Sequence, residues 1–343
     1  MAVGTIADAV VNTPFAHTGI IEGVSQNIDL FNSLSNGTIV LRDPVNRGAY
    51  HADEIYFGTF EDFTTRHKVA SGGSLSSDDV KNISDIQVRD VKMNKKIVVQ
   101  QDEQFFRKGA SGIQNIDEAA GVVRGAIERE FVRAALKSQL NDCVNAVQAA
   151  IRSQTALVND VATGAASAGA GGLTHARLNT TLAKLGDQRG RIRALVMHSE
   201  SYRQLVDQNV GAALTGVSDL VLREGTTATY GLPVLVTDAA SLTGDLIGSA
   251  GTADEYIVLG LVENAIELTV TEAYTFDVTK MTGQEIPSYE MFGRWAHSLK
   301  AKGLSWKTAS ADNPTETALG TTTNWEKKAT SEKMCAGVAL IHN

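Results

Sequence analysis

Cysteine and proline are scarce in this sequence. Of its 343 residues, two are cysteine and five are proline. Cys143 and Cys335 have neither metal-ligand spacing nor the number that a disulfide framework needs. We therefore expect both thiols to be buried and reduced, as in a cytosolic product. Because 43% of the residues are hydrophobic, the chain can bury a sizeable core and does not need disulfide bonds to fold.

Cationic targeting segments and membrane-spanning segments are also lacking. The first residues carry no basic region, and no run of about 18 uncharged apolar residues occurs. The formal charge of −8 and the pI near 5.4 leave no positive surplus to displace counterions from phosphate. We expect neither secretion nor a membrane partner, and only weak, non-specific contact with DNA.

The usual sequence motifs of catalysis are absent. The chain contains no GxxxxGK(S/T), GxGxxG, HExxH, GxSxG or CxxC. His198 stands beside Ser199 and Ser201 at a predicted strand end. No acidic residue is spaced to orient its ring, which favours a helix-capping serine over a nucleophile. We expect no enzyme activity, no cofactor and no metal site. The alternative is an unrecognised α/β hydrolase-type enzyme at residues 173–262, with His198 and Asp238 at strand ends.

The first hundred residues divide into two parts. Residues 1–46 mix short apolar runs with turn formers and predict an extended or partly helical arm. Residues 47–100 contain strand-forming runs on both sides of a turn-rich stretch at 71–79, with dense charges of both signs. They predict a long hairpin that must lie on its own body or on a neighbour, because an isolated two-stranded hairpin is marginal in water.

A 36-residue stretch from Ile116 to Ile151 predicts a long helix. It contains no proline, and its apolar residues recur mostly at spacings of three and four. Arg124 and Glu128 lie on the other side at a spacing where helix charges meet. We expect one apolar face and a length of roughly 54 Å, more than most globular cores require. The pattern indicates a structural spine.

The second half alternates between helix and strand patterns. The glycine- and alanine-rich stretch 164–172 has the composition of a flexible connection and predicts a domain boundary. Predicted elements follow it: a helix capped by Thr174 through about residue 185, strand 192–197, a helix from Ser199 through about 209, a strand after the turn at 230–233, strands at 255–261 and 265–279, strand or short-helix material at 291–306, and strand 336–341. The alternation in 173–262 predicts an α/β arrangement.

Short motifs resemble tailed-phage major capsid proteins of the Hong Kong 97 type. They are Leu195–Leu205, where a strand ends in small polar residues before a helix, Tyr230–Asp238, where a Gly-x-Pro turn feeds a strand, and the tail from Asn313 to Val338. The resemblance implies an α+β fold with N-terminal arm 1–46, extended β-hairpin loop 47–100, peripheral domain 101–172 with the spine helix, axial α/β domain 173–262, peripheral return 263–330, and a C-terminal strand 331–343 that rejoins the axial domain.

The same resemblance implies a shell protein. Hexamers and pentamers of this homo-oligomer would close an icosahedral virion head around double-stranded DNA, assembled in the host cytoplasm. A separate scaffolding protein, a portal and possible decoration proteins would be the partners. An encapsulin-like bacterial compartment is the alternative of the same architecture. The candidate assembly-interface residues are Arg47, Glu61, Asp62, Arg66, Lys68, Gly72, Gly73, Asp78, Asp79, Lys81, Arg124 and Glu128.

Overall fold

The computed structural model describes ten parts of the chain. They are residues 36–42, 51–56, 81–98, 116–162, 171–215, 230–244, 255–281, 288–307, 313–329 and 331–343. Their longer strands and helices are, in chain order, β1 (Ile39–Arg42), β2 (His51–Tyr56), β3 (Lys81–Val98), α1 (Ile116–Arg152), β4 (Val158–Asp160), α2 (His175–Leu182), β5 (Ile192–Met197), α3 (Ser199–Thr215), β6 (Val234–Val236), β7 (Thr243–Gly244), β8 (Glu255–Val262), β9 (Ile266–Met281), β10 (Ser288–Ala301), β11 (Leu304–Trp306), α4 (Glu316–Leu319), β12 (Trp325–Lys327) and β13 (Gly337–His342). The mixed content confirms the predicted α+β class.

Five strands form the first sheet, in the order β1-β9-β10-β3-β2. Strands β3, β9 and β10 are long, and β10 pairs antiparallel with both of the others. At about 3.3 Å per residue the 18 residues of β3 span about 60 Å, which exceeds the depth of an ordinary core. On β9, Ile266, Leu268 and Val270 are buried, whereas Glu267 and Thr269 between them are half-exposed. This alternation is typical of a strand with one covered face, but it ends at Thr271, which is buried.

Antiparallel strand pairing is present in residues 47–100, where the sequence predicts a hairpin. Strand β2 pairs antiparallel with the first third of β3, from His51 opposite Ile86 to Tyr56 opposite Lys81. The remainder of β3 pairs with β10, so the hairpin is anchored on the protein's own body. Residues 57–80, which include the predicted turn-rich tip, lie outside the described residues. Part of the predicted arm is also a strand of this sheet, because β1 pairs in parallel with β9.

The second sheet has the order β4-β13-β8-β5-β6, and β7 pairs with β8. Strand β5 runs parallel to β6 but antiparallel to β8, and β13 runs parallel to β4 but antiparallel to β8. The α/β prediction for 173–262 is therefore only partly right, because the sheet is mixed. A single-sequence pattern of buried apolar strands does not distinguish the two directions of pairing.

Local sequence signals position the elements around this sheet. Thr174 caps α2 through its side-chain oxygen, which accepts a hydrogen bond from the backbone of Arg177, as predicted. The helix ends at Leu182 rather than 185, because a 3-10 segment with a left-handed Gly186 follows it. Helix α3 begins at Ser199 as predicted but continues to Thr215, beyond the predicted end at 209.

Helix α1 spans 37 residues and matches the predicted spine almost to the residue. Its last three turns differ from the prediction of one apolar face, because every residue from Asp142 to Ile151 is buried. Helix α1 as a whole contacts both sheets, the β11-β12 pair and α4. A helix surrounded on all sides buries its polar positions as well as its apolar ones, and periodicity alone could not show that.

The buried polar side chains of α1 form a connected series. Asn145 donates to the backbone carbonyl of Glu316, Gln148 donates to Asn145 at 3.2 Å, and Arg152 donates to Gln148 at 3.1 Å. One turn earlier, the carboxylate of Asp142 lies 3.4 Å from Nε2 of the buried His297 on β10. These contacts tie the helix to α4 and to the first sheet, because a buried polar group without a partner costs about 1–3 kcal/mol.

The central position of β13 depends on a close backbone approach. A Cβ at Gly337 would overlap the backbone carbonyl oxygen of Gly260 on β8. Strand β13 is buried throughout and lies between β4 and β8, so it can pair there only if residue 337 lacks a side chain.

No described helix is long and apolar enough to cross a membrane.

We predict that Gly337→Ala destabilises the subunit by about 3 kcal/mol, because the added methyl group must displace the backbone of β8 or β13. Chemical denaturation of unassembled subunits measures this difference. Gly190→Ala is the matched control, since a Cβ at Gly190 meets no atom within 4 Å. Equal stability of the two variants would contradict the prediction.

Candidate functional site

Three of the candidate assembly residues lie in described elements. Lys81 is the first residue of β3 and pairs with Tyr56 in the register of the hairpin. Arg124 and Glu128 lie one turn apart in the amino-terminal half of α1. The other nine candidates, from Arg47 to Asp79, lie outside the described residues. Their role in assembly stays a prediction.

The carboxyl end of the second sheet brings His198 and Asp238 together. These residues follow the parallel strands β5 and β6, and His198 Nε2 lies 3.4 Å from Asp238 Oδ1. Asp238 also accepts hydrogen bonds from Ser199, which lower the pKa of its carboxyl, and His198 adds to this effect. The expectation that no acidic residue orients His198 is therefore wrong. The partner is 40 residues away in sequence, and only the parallel pairing of β5 with β6 brings it close.

The geometry around His198 does not assemble a nucleophile. Its Nδ1 accepts the backbone N–H of Glu200 at 3.2 Å, so the ring proton of the neutral form is on Nε2 and faces Asp238. Both ring nitrogens are thus engaged, and neither is available to deprotonate a hydroxyl. The side chain of Ser199 binds Asp238, and Ser201 is fully buried. The interaction between His198 and Asp238 therefore links the ends of β5 and β6.

A second histidine completes this end of the sheet. Nδ1 of His342, on β13, donates a hydrogen bond to the backbone oxygen of Asn343, so Nε2 accepts one from the hydroxyl of Ser201 at 2.8 Å. Tyr256 lies between the two imidazoles, with centroids 5.3 Å from the ring of His198 and 5.8 Å from that of His342. Burial lowers the pKa of His342 to about 4.

Acidic side chains, of which Glu255 is buried, outnumber basic ones around this cluster. On α3, Arg203 binds both Glu200 and Asp207, and these bonds hold the pKa of Glu200 below its ordinary value. Arg152 at the end of α1 is partly buried near Glu255 and Asp160. Among the described residues, this end of the sheet has five acidic side chains against three arginines: Asp160, Glu200, Asp207, Asp238 and Glu255, with Arg152, Arg177 and Arg203.

The opposite end of the sheet is basic. Arg191 and Arg193 lie at the start of β5, and Arg189 lies over the ring of Tyr230 at 5.5 Å from its centroid. Burial lowers the pKa of Lys302, and the nearby Arg191 lowers it further. Sequence reasoning did not single out this cluster. The alternation Arg189-Gly190-Arg191-Ile192-Arg193 was its only local signal, because Lys302 and Lys333 join it through the fold.

Tyr230 is held in place at this basic end. It and Gly231 both have positive φ angles, 54° and 75°, which form the turn into β6. Its hydroxyl donates to the backbone oxygen of His175 at 2.9 Å, and its side chain is still 41% exposed. A non-glycine residue in a left-handed turn carries strain, so the surrounding contacts must fix it.

The described residues contain no group of three or more histidine, cysteine or acidic side chains arranged to hold a metal ion. Cys143 and Cys335 are both buried and free, as predicted, and burial raises the pKa of each thiol.

A family model described as "Gp13-like: Major capsid protein 13-like" matches residues 8–339. No curated protein matches the chain. Solved structures with a similar backbone include the capsid of Ralstonia phage GP4, 9% identical, covering 90% of this chain and 87% of that chain with a TM-score of 0.47. The head of Helicobacter pylori bacteriophage KHP40 is 11% identical, with coverages of 91% and 90% and a TM-score of 0.46. The capsid of cyanophage P-SCSP1u is 15% identical, with coverages of 78% and 84% and a TM-score of 0.45.

We predict that acidification destabilises the folded subunit through His342. Its pKa is about 4 in the fold against an ordinary value of 6.5, so the unfolded chain binds the proton more readily between these values. The stabilisation is complete above pH 6.5 and is lost as the pH falls to 4, a change of about 3 kcal/mol. Denaturant unfolding of wild type and His342→Gln from pH 7 to 4 measures it. Parallel pH profiles for the two proteins would contradict the assignment.

Proposed function

The chain belongs to the Gp13-like family of major capsid proteins, and we propose that it builds the icosahedral head of a tailed phage from hexamers and pentamers of itself. The family match, which spans residues 8–339, carries this conclusion. Shell formation and a place in the virion capsid follow from the family itself. The match also favours a structural over a catalytic role, and it favours a capsid over an encapsulin-like compartment.

The two sheets support an assignment of the subunit to two domains. We assign the first sheet and α1 to the peripheral domain of the Hong Kong 97-like scheme and the second sheet to the axial domain. Strand β13 pairs with β8, as a C-terminal strand that rejoins the axial domain would do. Strand β4 lies before the predicted boundary at residue 172, but it pairs with β13 of the second sheet. We therefore place the boundary between the two domains at the end of α1.

Assembly by many modest contacts fits this design. Strands β3 and β9 are longer than the buried core requires. We therefore propose that the loop between β2 and β3 lies on a neighbouring subunit. The dense charges of both signs there would fix the register of contact more than its strength. Closure of the shell makes the contacts cooperate, so each can be weak without the particle being unstable.

The proposed content of the shell is double-stranded DNA, held with weak, non-specific contact. The chain's net charge of −8 disfavours tight adhesion, which would hinder packaging and release. A separate scaffolding protein, a portal and possible decoration proteins would complete the head in the host cytoplasm. Candidate contact residues remain those of the loop, with Lys81 at its base and Arg124 and Glu128 on α1.

We predict that replacing residues 57–80 with Asn-Gly yields a folded subunit that does not form stable shells. Tyr56 and Lys81 are directly opposed, so a two-residue turn can close the hairpin there without altering its register. Circular dichroism and denaturation measure folding, and negative-stain electron microscopy measures assembly, with the full-length chain as control. Normal particles from the shortened chain would overturn the proposed role of the loop.

A further inference from the structure

The second sheet carries opposite charge at its two ends. The amino end of β5 is surrounded by six cationic and two anionic side chains among the described residues: Lys184, Arg189, Arg191, Arg193, Lys302 and Lys333, with Asp187 and Glu263. The surplus is four positive charges. The carboxyl end has five acidic side chains and three arginines, a surplus of two negative charges. We call these the basic end and the acidic end.

Among the described residues, internal ion pairs neutralise the basic end only in part. Lys333 binds Asp187 at 2.9 Å, but the guanidinium of Arg193 is 3.9 Å from Glu263, at the limit of an ion pair, and remains 54% exposed. Arg191 is near enough to Lys302 to lower the pKa of its ammonium after burial has done so, and Glu263 offsets only part of this effect. Such like-charge proximity costs free energy in an isolated subunit, and an anionic partner would relieve it.

The acidic end offers matching groups in an accessible position. Asp238 is 72% exposed and Asp207 60% exposed, and they lie on different elements at the edge of β6 and on α3. Arg203 neutralises only one of the two carboxylates that it binds. Both ends therefore combine a surplus of one sign with exposure to solvent.

We propose that the basic end of one subunit docks on the acidic end of a second copy of the same chain. This inference rests on the proposed shell, because a shell requires each copy to contact others. Opposite charge at opposite ends favours a heterologous, head-to-tail contact, the kind that closes into rings. It also disfavours pairing of like ends, so the charges specify direction as well as attraction.

Reciprocal charge reversal tests this contact. The basic-end variant is Lys184→Glu/Arg189→Glu/Arg193→Glu, the acidic-end variant is Asp207→Lys/Asp238→Lys, and the combined variant carries all five substitutions. The control for the basic-end variant changes the net charge by the same amount at three cations outside both ends: Arg42→Glu/Lys137→Glu/Lys307→Glu. Circular dichroism and thermal denaturation establish that each variant is folded.

We expect each single-end variant to lower the yield of closed particles at least tenfold by electron microscopy, while the control stays within twofold of wild type. The combined variant restores opposite signs across the contact and should recover at least half of the wild-type yield. No recovery, or single-end variants that assemble like the control, would overturn the inference. So would normal particles from the basic-end variant that hold less DNA, because that outcome assigns the basic end to nucleic acid. Failure of the wild-type chain to assemble would instead reject the proposed function.

Discussion

Burial of the carboxyl-terminal half of α1 is the constraint on which the rest of the structure depends. Ten consecutive residues, 142–151, are enclosed on every side, so elements distant in sequence must converge on one helix. Asn145 holds α4, and Asp142 lies against β10, while Arg152 approaches the first residue of β8. Both sheets are thereby positioned relative to one axis. Polar residues inside this contact confer a specific arrangement, because a shifted helix would leave their groups unsatisfied.

Much of the fold could be predicted from the sequence because its signals are local. The limits of α1, the Thr174 cap, the strand 192–197 and the hairpin of β2 with β3 all follow from periodicity, capping and turn chemistry. Features that depend on non-local pairing could not be read in this way. The direction of β8 relative to β5, the burial of Gln148 and the pairing of β1 with β9 are decided by partners far along the chain.

The candidate site shows the same division. His198 and Asp238 were both expected at strand ends, but their contact requires the parallel alignment of two strands. The basic end went unnoticed, because its charges come from four segments and are diluted in a chain with a net charge of −8. Composition reports the sum of charges, whereas recognition depends on where they lie. A shell subunit can be acidic overall and still present a cationic surface at one place.

The position of β13 orders the events of biosynthesis. This strand occupies the interior of the second sheet, yet it leaves the ribosome after β4, β5, β6 and β8 have been made. Until it has been made, β4 and β8 lack the strand that joins them, so the sheet is incomplete. An interior strand that is made after its neighbours thus makes completion of the sheet depend on chain order.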